Sequence, residues 1–563
     1  VAGGNHGTQE GRGRPMKGSL LAAADSVEGF TRIALTVLGI YLIALLTLGI
    51  IAWCRSRTSE EDYYLAGRGQ GFLVSAMTIM ATFFSSAAML GVPGNVYKEG
   101  VAFMIFALNL PCAGVVIYLF GSKIRRIGGK RGYVTQGDMI ADYYGDSALL
   151  RSLVAFVGFL YVLPYVIMQI KSGGYLAQVM FPESSEAFER GAMALSGVTI
   201  LYVLIGGMRS VAWTDVLQGF LLLGGMILAA VAMMVSLGGL GGFFEKVREI
   251  DPAALAVPGP SGTYTPWLLM TICVFASVGS MVQPAQWMRM YSAKSDLVLK
   301  RGALVFSLVL PACFLFGVML VALAGRALYP PEMVDGKLVA HPFVGEFDQI
   351  VIVMVKEQLP AMLGSLGVIL VAVLLVAILA ASMSTADSNL HALSAVMTRD
   401  IYDRFLRPHA SERERAWAGR VVIILASLLA LWLVRVGHHN ENFAPLKMIV
   451  SLMFAAIGFA CQLLPVTIDM LYLRRGTRAG AVSGMVAGIV VVFLFTPFPD
   501  LMIGHSEKGP ISIVMAPLKS LFDIGFTGFV VNAAVFAVVS RFTKKIDPAR
   551  VAALSAEMDR STL

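Results

Sequence analysis

The chain has 563 residues, of which 57% are hydrophobic and only 14% charged, with a net charge of +8. A soluble domain carries about 25% charged residues, so this composition excludes a soluble globular protein and indicates a polytopic helical membrane protein lodged in a lipid bilayer. The positive balance requires no nucleic-acid partner, because the loops account for it. The five cysteines (Cys54, Cys112, Cys273, Cys313, Cys461) fall in or beside apolar runs, which suits packing rather than disulfides or metal ligation.

In chain order, residues 1–29 are polar and Gly-rich, and Met16-Lys17 could be the native start, leaving 1–15 as upstream sequence. Residues 16–29 lack the long apolar core of a cleaved signal peptide. Apolar runs follow at about 31–53, 70–92, 101–121, 150–180, 190–206, 211–238, 265–287, 303–326, 362–396, 417–436, 447–473, 479–496 and 523–541. They predict thirteen spans. Basic residues concentrate in alternate loops: Arg55/Arg57/Arg68, Lys123 to Arg131, Arg209, Arg289/Lys294/Lys300/Arg301, Arg399 to Arg415, Arg474/Arg475/Arg478, and the tail from Arg541. The intervening loops are short, mixed or acidic, as with Glu183, Glu186 and Glu189. The positive-inside rule then puts the N-terminus outside and the C-terminus inside the cell membrane. The long outer loop, 327–361, is expected to hold a short surface helix.

Two spans read as interrupted. The second has small and polar residues from Phe83 to Gly94, including Ser85, Ser86, Ala87 and Pro93; the seventh runs from Phe275 through Ser277, Gly279, Ser280 and Gln283 to Pro284. They stand five spans apart, each opening a possible five-span half, which is the sequence pointer to an inverted-repeat transporter. Close helix packing by Gly and Ser is the competing explanation for either one alone. The ninth span places Ala381, Ser384, Thr385 and Ser388 at i, i+3, i+4 and i+7, one face of a helix, with Asp387 at its border. A carboxylate at membrane depth costs roughly 2.5 kcal/mol or more, so this cluster reads as a site for a small hard cation. Three more polar residues stand out: Asp215 near the inner end of the sixth span, Lys171 within the fourth, and His391 one turn beyond Asp387. The plain alternatives are an interfacial acid, a snorkelling lysine and an interior histidine. The functional ones are a cation ligand, and a charge partner for a substrate carboxylate or for Asp387.

Several stretches resemble the sodium:solute symporter family: Glu61 to Arg68, Leu90 to Gly100, Tyr202 to Ser210 followed by Trp213 to Gln218, and Ser384 to Ser388 ending in Arg399 to Tyr402. The resemblance implies a leucine-transporter-like core of two inverted five-helix repeats, 70–238 and 264–474. A first extra span (30–54) precedes them, two more (478–542) follow, and an inner tail (543–563) ends the chain. It implies a carrier rather than an enzyme, with Na+ as the coupling ion and a small solute as cargo. The implied sodium ligands are the carbonyls of Ala81, Phe84 and Ala381 and the hydroxyls of Ser384 and Thr385. Some members carry a second sodium at positions matching Asp215, Ser384, Asp387 and Ser388, where Asp387 replaces a serine. Candidate solute contacts are Ser85, Ser86, Ala87, Gln169, Lys171, Ser277, Ser280 and Gln283. The Pro164–Lys171 and Gln283–Trp287 runs are most similar to monocarboxylate carriers, so a small organic anion leads pantothenate, sugar and amino acid as the expected cargo. The other class to separate is a transporter-like membrane sensor. Oligomeric state is left open.

Overall fold

A computed structural model of the chain describes residues 17–55, 59–335, 337–439, 448–504 and 509–559. The polar segment expected at 1–29 therefore lies outside the described residues up to 16. Helices dominate, and their starts follow the local chemistry. Ser147, Thr265, Ser295 and Thr477 each accept a backbone N–H two or three residues into the helix that follows. Asp523 does the same for the last span, and Thr135 with Asp138 forms a capping box for the inner helix Gln136–Tyr143.

Among the described residues, ten helices are long and apolar enough to cross a membrane, and two sharply bent pairs bring the total to twelve. The predicted fifth span, 190–206, is not among them; it is the leading part of one long helix, Ala187–Ser236. That helix turns at Gly207 (φ 57°, ψ −178°), a conformation open essentially to glycine alone. The long loop 327–361 holds a two-stranded hairpin, Glu332–Val334 with Lys337–Val339, and a helix, Ile350–Leu363, whose first half is buried instead of lying on the surface as expected.

The two bent pairs are the interrupted second and seventh spans, with angles of 56° and 57°. The seventh breaks where its sequence suggests. Gln283 is extended (ψ 158°), as a residue before proline prefers to be, and its Oε1 accepts the Ala285 N–H at 2.7 Å. The second breaks earlier than its Pro93-Gly94 pair, at Phe84–Ser86, where Phe84 has ψ 74°. Pro93 remains helical because a π-helical turn, Ala87–Gly91, precedes it and shifts the hydrogen-bond ladder. Around this core, large apolar side chains such as Leu201, Phe220, Leu308 and Trp432 face outward, as lipid contact requires.

Candidate ion and solute sites

Because the first half of the second span, Phe72–Phe83, ends in mid-protein, its last carbonyls have no helical donors. The ninth span (Ser365–Val396) crosses this end and supplies hydroxyls. Ser384 Oγ donates to Ala81 O at 3.3 Å and to Ala381 O at 3.0 Å, and Thr385 Oγ1 donates to Thr82 O at 3.4 Å. Ala81, Phe84, Ala381, Ser384 and Thr385 are all fully buried. Of the predicted ligand residues, Ala81, Ala381 and Ser384 are thus brought together, Thr385 bonds the Thr82 carbonyl, and Phe84 stands at the break itself. The donor set is neutral oxygen, and a helix C-terminus adds partial negative charge, which suits a small monovalent cation. Among the described residues, no group of three or more His, Cys, Asp or Glu side chains is placed to hold a metal ion.

The supposed second cation position is built differently. Arg289, on the half-helix Pro284–Ser292, reaches into it and is 1% exposed. Its Nε donates to Thr78 O (3.1 Å) and Thr78 Oγ1 (3.0 Å), and its Nη1 to Ala285 O (3.1 Å). Its Nη2 donates to Asp215 Oδ2 (3.3 Å) and Ser388 Oγ (2.5 Å). Thr78 also donates its hydroxyl to Asp215. Ser388 in turn donates to Ser384 O at 2.6 Å and to Asp387 Oδ1 at 3.3 Å. Asp387 Oδ2 and Asp215 Oδ1 are buried without a hydrogen-bond partner among the described residues. Two carboxylates and one guanidinium stand beside the neutral oxygen site, a net charge of minus one when both carboxylates are ionised.

Arg289 is the residue that sequence reasoning missed, having been assigned to an inner loop. The signal was present: Pro284 starts a new half-helix, so a residue five positions later lies on that half-helix and not beyond the span. Lys171 is not the partner of Asp387, whose charged neighbours are Asp215 and Arg289. Lys171 Nζ sits 5.3 Å from the Tyr175 ring centroid, with Asp348 of the outer loop in its field. His391 packs between Tyr63 and Tyr64, with ring centroids 5.1 and 5.3 Å away.

The candidate solute contacts divide in two. Ser85, Ala87 and Ser280 line a cleft between the broken spans, with Phe83, Asn109, Tyr165, Ala276 and Phe314 among their neighbours. Its volume of about 30 Å³ leaves room for a few waters, against the several hundred Å³ of small-molecule pockets, so the protein is closed around it. The other five do not line it. Gln169 Oε1 accepts the Ser86 N–H at 2.9 Å, replacing the backbone acceptor lost at the break, and Gln283 caps the seventh-span half-helix. Ser277 donates to Asn109 Oδ1 at 3.0 Å, and Lys171 lies further out. Asn109 was not singled out in the sequence, although it is the lone amide of its span.

Both ends of the bundle are fastened. On the face bearing the basic loops, Arg151 pairs with Asp138 (2.6 Å) and Asp400 (3.0 Å), and Arg415 with Glu60 (3.3 Å) and Asp403 (3.3 Å). On the opposite face, Arg326 donates to the carbonyls of Tyr97 (2.6 Å) and Lys98 (2.7 Å), closing the end of the second span.

The profile of the sodium:solute symporter family matches residues 63–488. A sodium/proline symporter of Haemophilus influenzae is 29% identical over 462 residues, 81% of this chain and 86% of the relative. A sodium/pantothenate symporter of Escherichia coli is 26% identical over 508 residues, 88% of this chain and 97% of the relative. Among solved structures, the substrate-bound outward-open state of a Na+-coupled sialic acid symporter superposes with a TM-score of 0.69 at 18% identity, covering 92% of this chain and 99% of that one. A nucleobase-cation-symport-1 family transporter in a closed conformation superposes with a TM-score of 0.51 at 13% identity, covering 86% and 96%.

Proposed function

The chain belongs to the sodium:solute symporter family, and from that premise we propose that it imports a small carboxylate-bearing solute, a monocarboxylate foremost, with one Na+ per cycle. It is a sodium-coupled carrier, not an enzyme. The observation that carries the solute reading is the cleft: Ser85, Asn109 and Tyr165 offer hydroxyl and amide groups beside the apolar Phe83, Ala87 and Ala276, Ser280 donates to Ala276 O at 2.6 Å, and no ionised side chain among the described residues lines it. Such a lining hydrogen-bonds a carboxylate and buries an apolar body, but offers no anion for an amino group. The second reading, proline or pantothenate, is favoured by the relatives' names alone.

In the mechanism we propose, Na+ binds between the carbonyls of Ala81, Phe84 and Ala381 and the hydroxyls of Ser384 and Thr385. It ties the second span to the ninth and orders the break that presents Ser85 to the solute. Solute then binds better to the sodium-loaded protein, and by linkage sodium binds better with solute present. The repeats at 70–238 and 264–474 rock about this site, releasing the inner ion pairs of Arg151 and Arg415 as the outer end closes. One charge moving through 100 mV is worth about 2.3 kcal/mol and a tenfold sodium gradient about 1.4 kcal/mol, so a neutral solute accumulates roughly 500-fold per ion. For a monoanion the voltage contribution cancels. Uptake into proteoliposomes with and without a sodium gradient, competed with carboxylates, proline, pantothenate and sugars, tests the reading. Sodium-driven uptake blocked only by sugars would overturn the solute class.

A further inference from the structure

We propose that a cleft on the face bearing the basic loops binds the phosphate headgroup of an anionic phospholipid, with an acyl chain along its apolar floor. The cleft has a volume of about 670 Å³ and lies where the last two spans, Arg478–Phe495 and Ile524–Phe542, meet the start of the helix Ala148–Met180. Four basic residues line it: Arg478, Lys544, Lys545 and Arg550. Two of them are engaged by the protein itself. Lys545 Nζ donates to Arg475 O (2.9 Å) and Ser540 O (2.8 Å), and Arg550 pairs with Asp142. Arg478 and Lys544 are exposed and have no ion-pair or hydrogen-bond partner among the described residues.

The lone acid of the lining, Asp547, accepts the Ala549 N–H at 3.0 Å at the start of the helix Pro548–Asp559. The floor is apolar, with Leu149, Val482 and Ile546. Next in the chain to the lining residue Thr543, Phe542 is 81% exposed, a side chain suited to the edge of the hydrocarbon. A soluble anion would use the two free cations and leave the floor wet; a phospholipid uses both. Basic pockets between spans at the inner surface are suited to such headgroups, so the proposal rests on that face being the inner one. The positive-inside rule explains why the loops are basic, but not why two unpaired cations border an apolar cleft.

Native mass spectrometry of the delipidated full chain, given equal phosphatidylglycerol and phosphatidylcholine, tests this whichever way the protein lies in the membrane. Binding of phosphatidylglycerol should fall about thirtyfold in the Arg478→Gln/Lys544→Gln double variant, while phosphatidylcholine is unchanged. A Lys300→Gln/Arg301→Gln control, basic but away from the cleft, should bind as the parent does. Val482→Phe, which fills the floor and keeps every charge, should also lose phosphatidylglycerol, and it serves if the double variant melts early. Undiminished binding in both the double variant and Val482→Phe overturns the proposal, as does an equal loss in the control. Displacement of the lipid by millimolar inorganic phosphate overturns it too, by assigning the cleft to a soluble anion.

Discussion

Replacing Asp387 with Asn changes one charge and almost no volume. The Asp215–Arg289 pair, 3.3 Å apart, cancels itself at a distance, so an ionised Asp387 is the unbalanced negative charge of the cluster. Ser384 lies three residues earlier on the same helix, about 4.5 Å along its axis, which places an ion on the Ser384 and Thr385 hydroxyls roughly 6–7 Å from the carboxylate. With an effective dielectric near 20, a unit charge at that distance attracts Na+ by about 2.5 kcal/mol, or roughly 70-fold in affinity. Asp387→Asn should therefore raise the half-saturating sodium concentration by about that factor with no change in the steepness of the sodium response. Sodium-dependent thermal stabilisation of the purified protein reads this without requiring transport, because ligand stabilisation follows mass action. An affinity within about threefold of the parent, well short of that estimate, would refute the electrostatic account. A sodium response that falls from cooperative to simple would instead make Asp387 a ligand of a second ion.

Ser384→Ala and Thr385→Ala each remove one oxygen of the neutral site and should abolish sodium-dependent uptake; unchanged sodium affinity in both sinks the site assignment. Arg289→Gln strands two buried carboxylates and should cost about 3–5 kcal/mol, read as a lower melting temperature in detergent, with Asp215→Asn in the same chain restoring part of it. In the outer loop, burial pushes the Asp348 carboxyl up to about 6 against the pull of Lys171, while its Oδ2 accepts the Ile449 N–H at 3.0 Å. A raised carboxyl contributes stability that is complete below its unfolded pKa near 4 and lost as pH rises through 6. That is about 1.4 kcal/mol lost from pH 5 to pH 7.5. Hydrogen exchange of 341–350, corrected for intrinsic rates, should accelerate over that range in the parent and stay level in Asp348→Asn. If the cargo is a monoanion with one Na+, uptake should be indifferent to a potassium–valinomycin potential; a voltage-driven rise means a second cation or a neutral solute.

Much of this was legible in the chain because lipid imposes strong rules on it. Apolar runs located the spans apart from the fifth, and Ser384 with Thr385 stood out because hydroxyls are conspicuous in a run of Leu, Val and Ala. Breaks were legible as regions and less so as positions. Pro284 does mark the seventh-span break, since it constrains Gln283 directly. In the second span Pro93 misleads, because the break is made from outside, by the Gln169 side chain accepting the Ser86 N–H. No local pattern records a contact between residues 83 positions apart. Gln169 and Gln283 read as solute ligands for the same reason: a buried amide announces a need for hydrogen bonds without saying whether backbone or cargo meets it.

Arg289 is the instructive error, because it alters what Asp215 and Asp387 mean. Two carboxylates in a membrane interior suggest a divalent site or two monovalent ones. Add a guanidinium satisfied by Thr78, Ala285, Asp215 and Ser388, and the cluster needs only one further positive charge. That charge need not bind the carboxylates directly, since the Ser384–Thr385 oxygens lie one helical turn away. The two breaks therefore contribute opposite things to the same stretch of the ninth span. The second span brings carbonyls freed of helical donors, which suit a cation, and the seventh brings a cation of the protein's own. With Asp387 ionised, emptying the proposed sodium site would leave a buried negative charge unbalanced, a cost that favours opening to water over remaining closed. Sodium would then hold the conformational equilibrium without any contact between ion and solute.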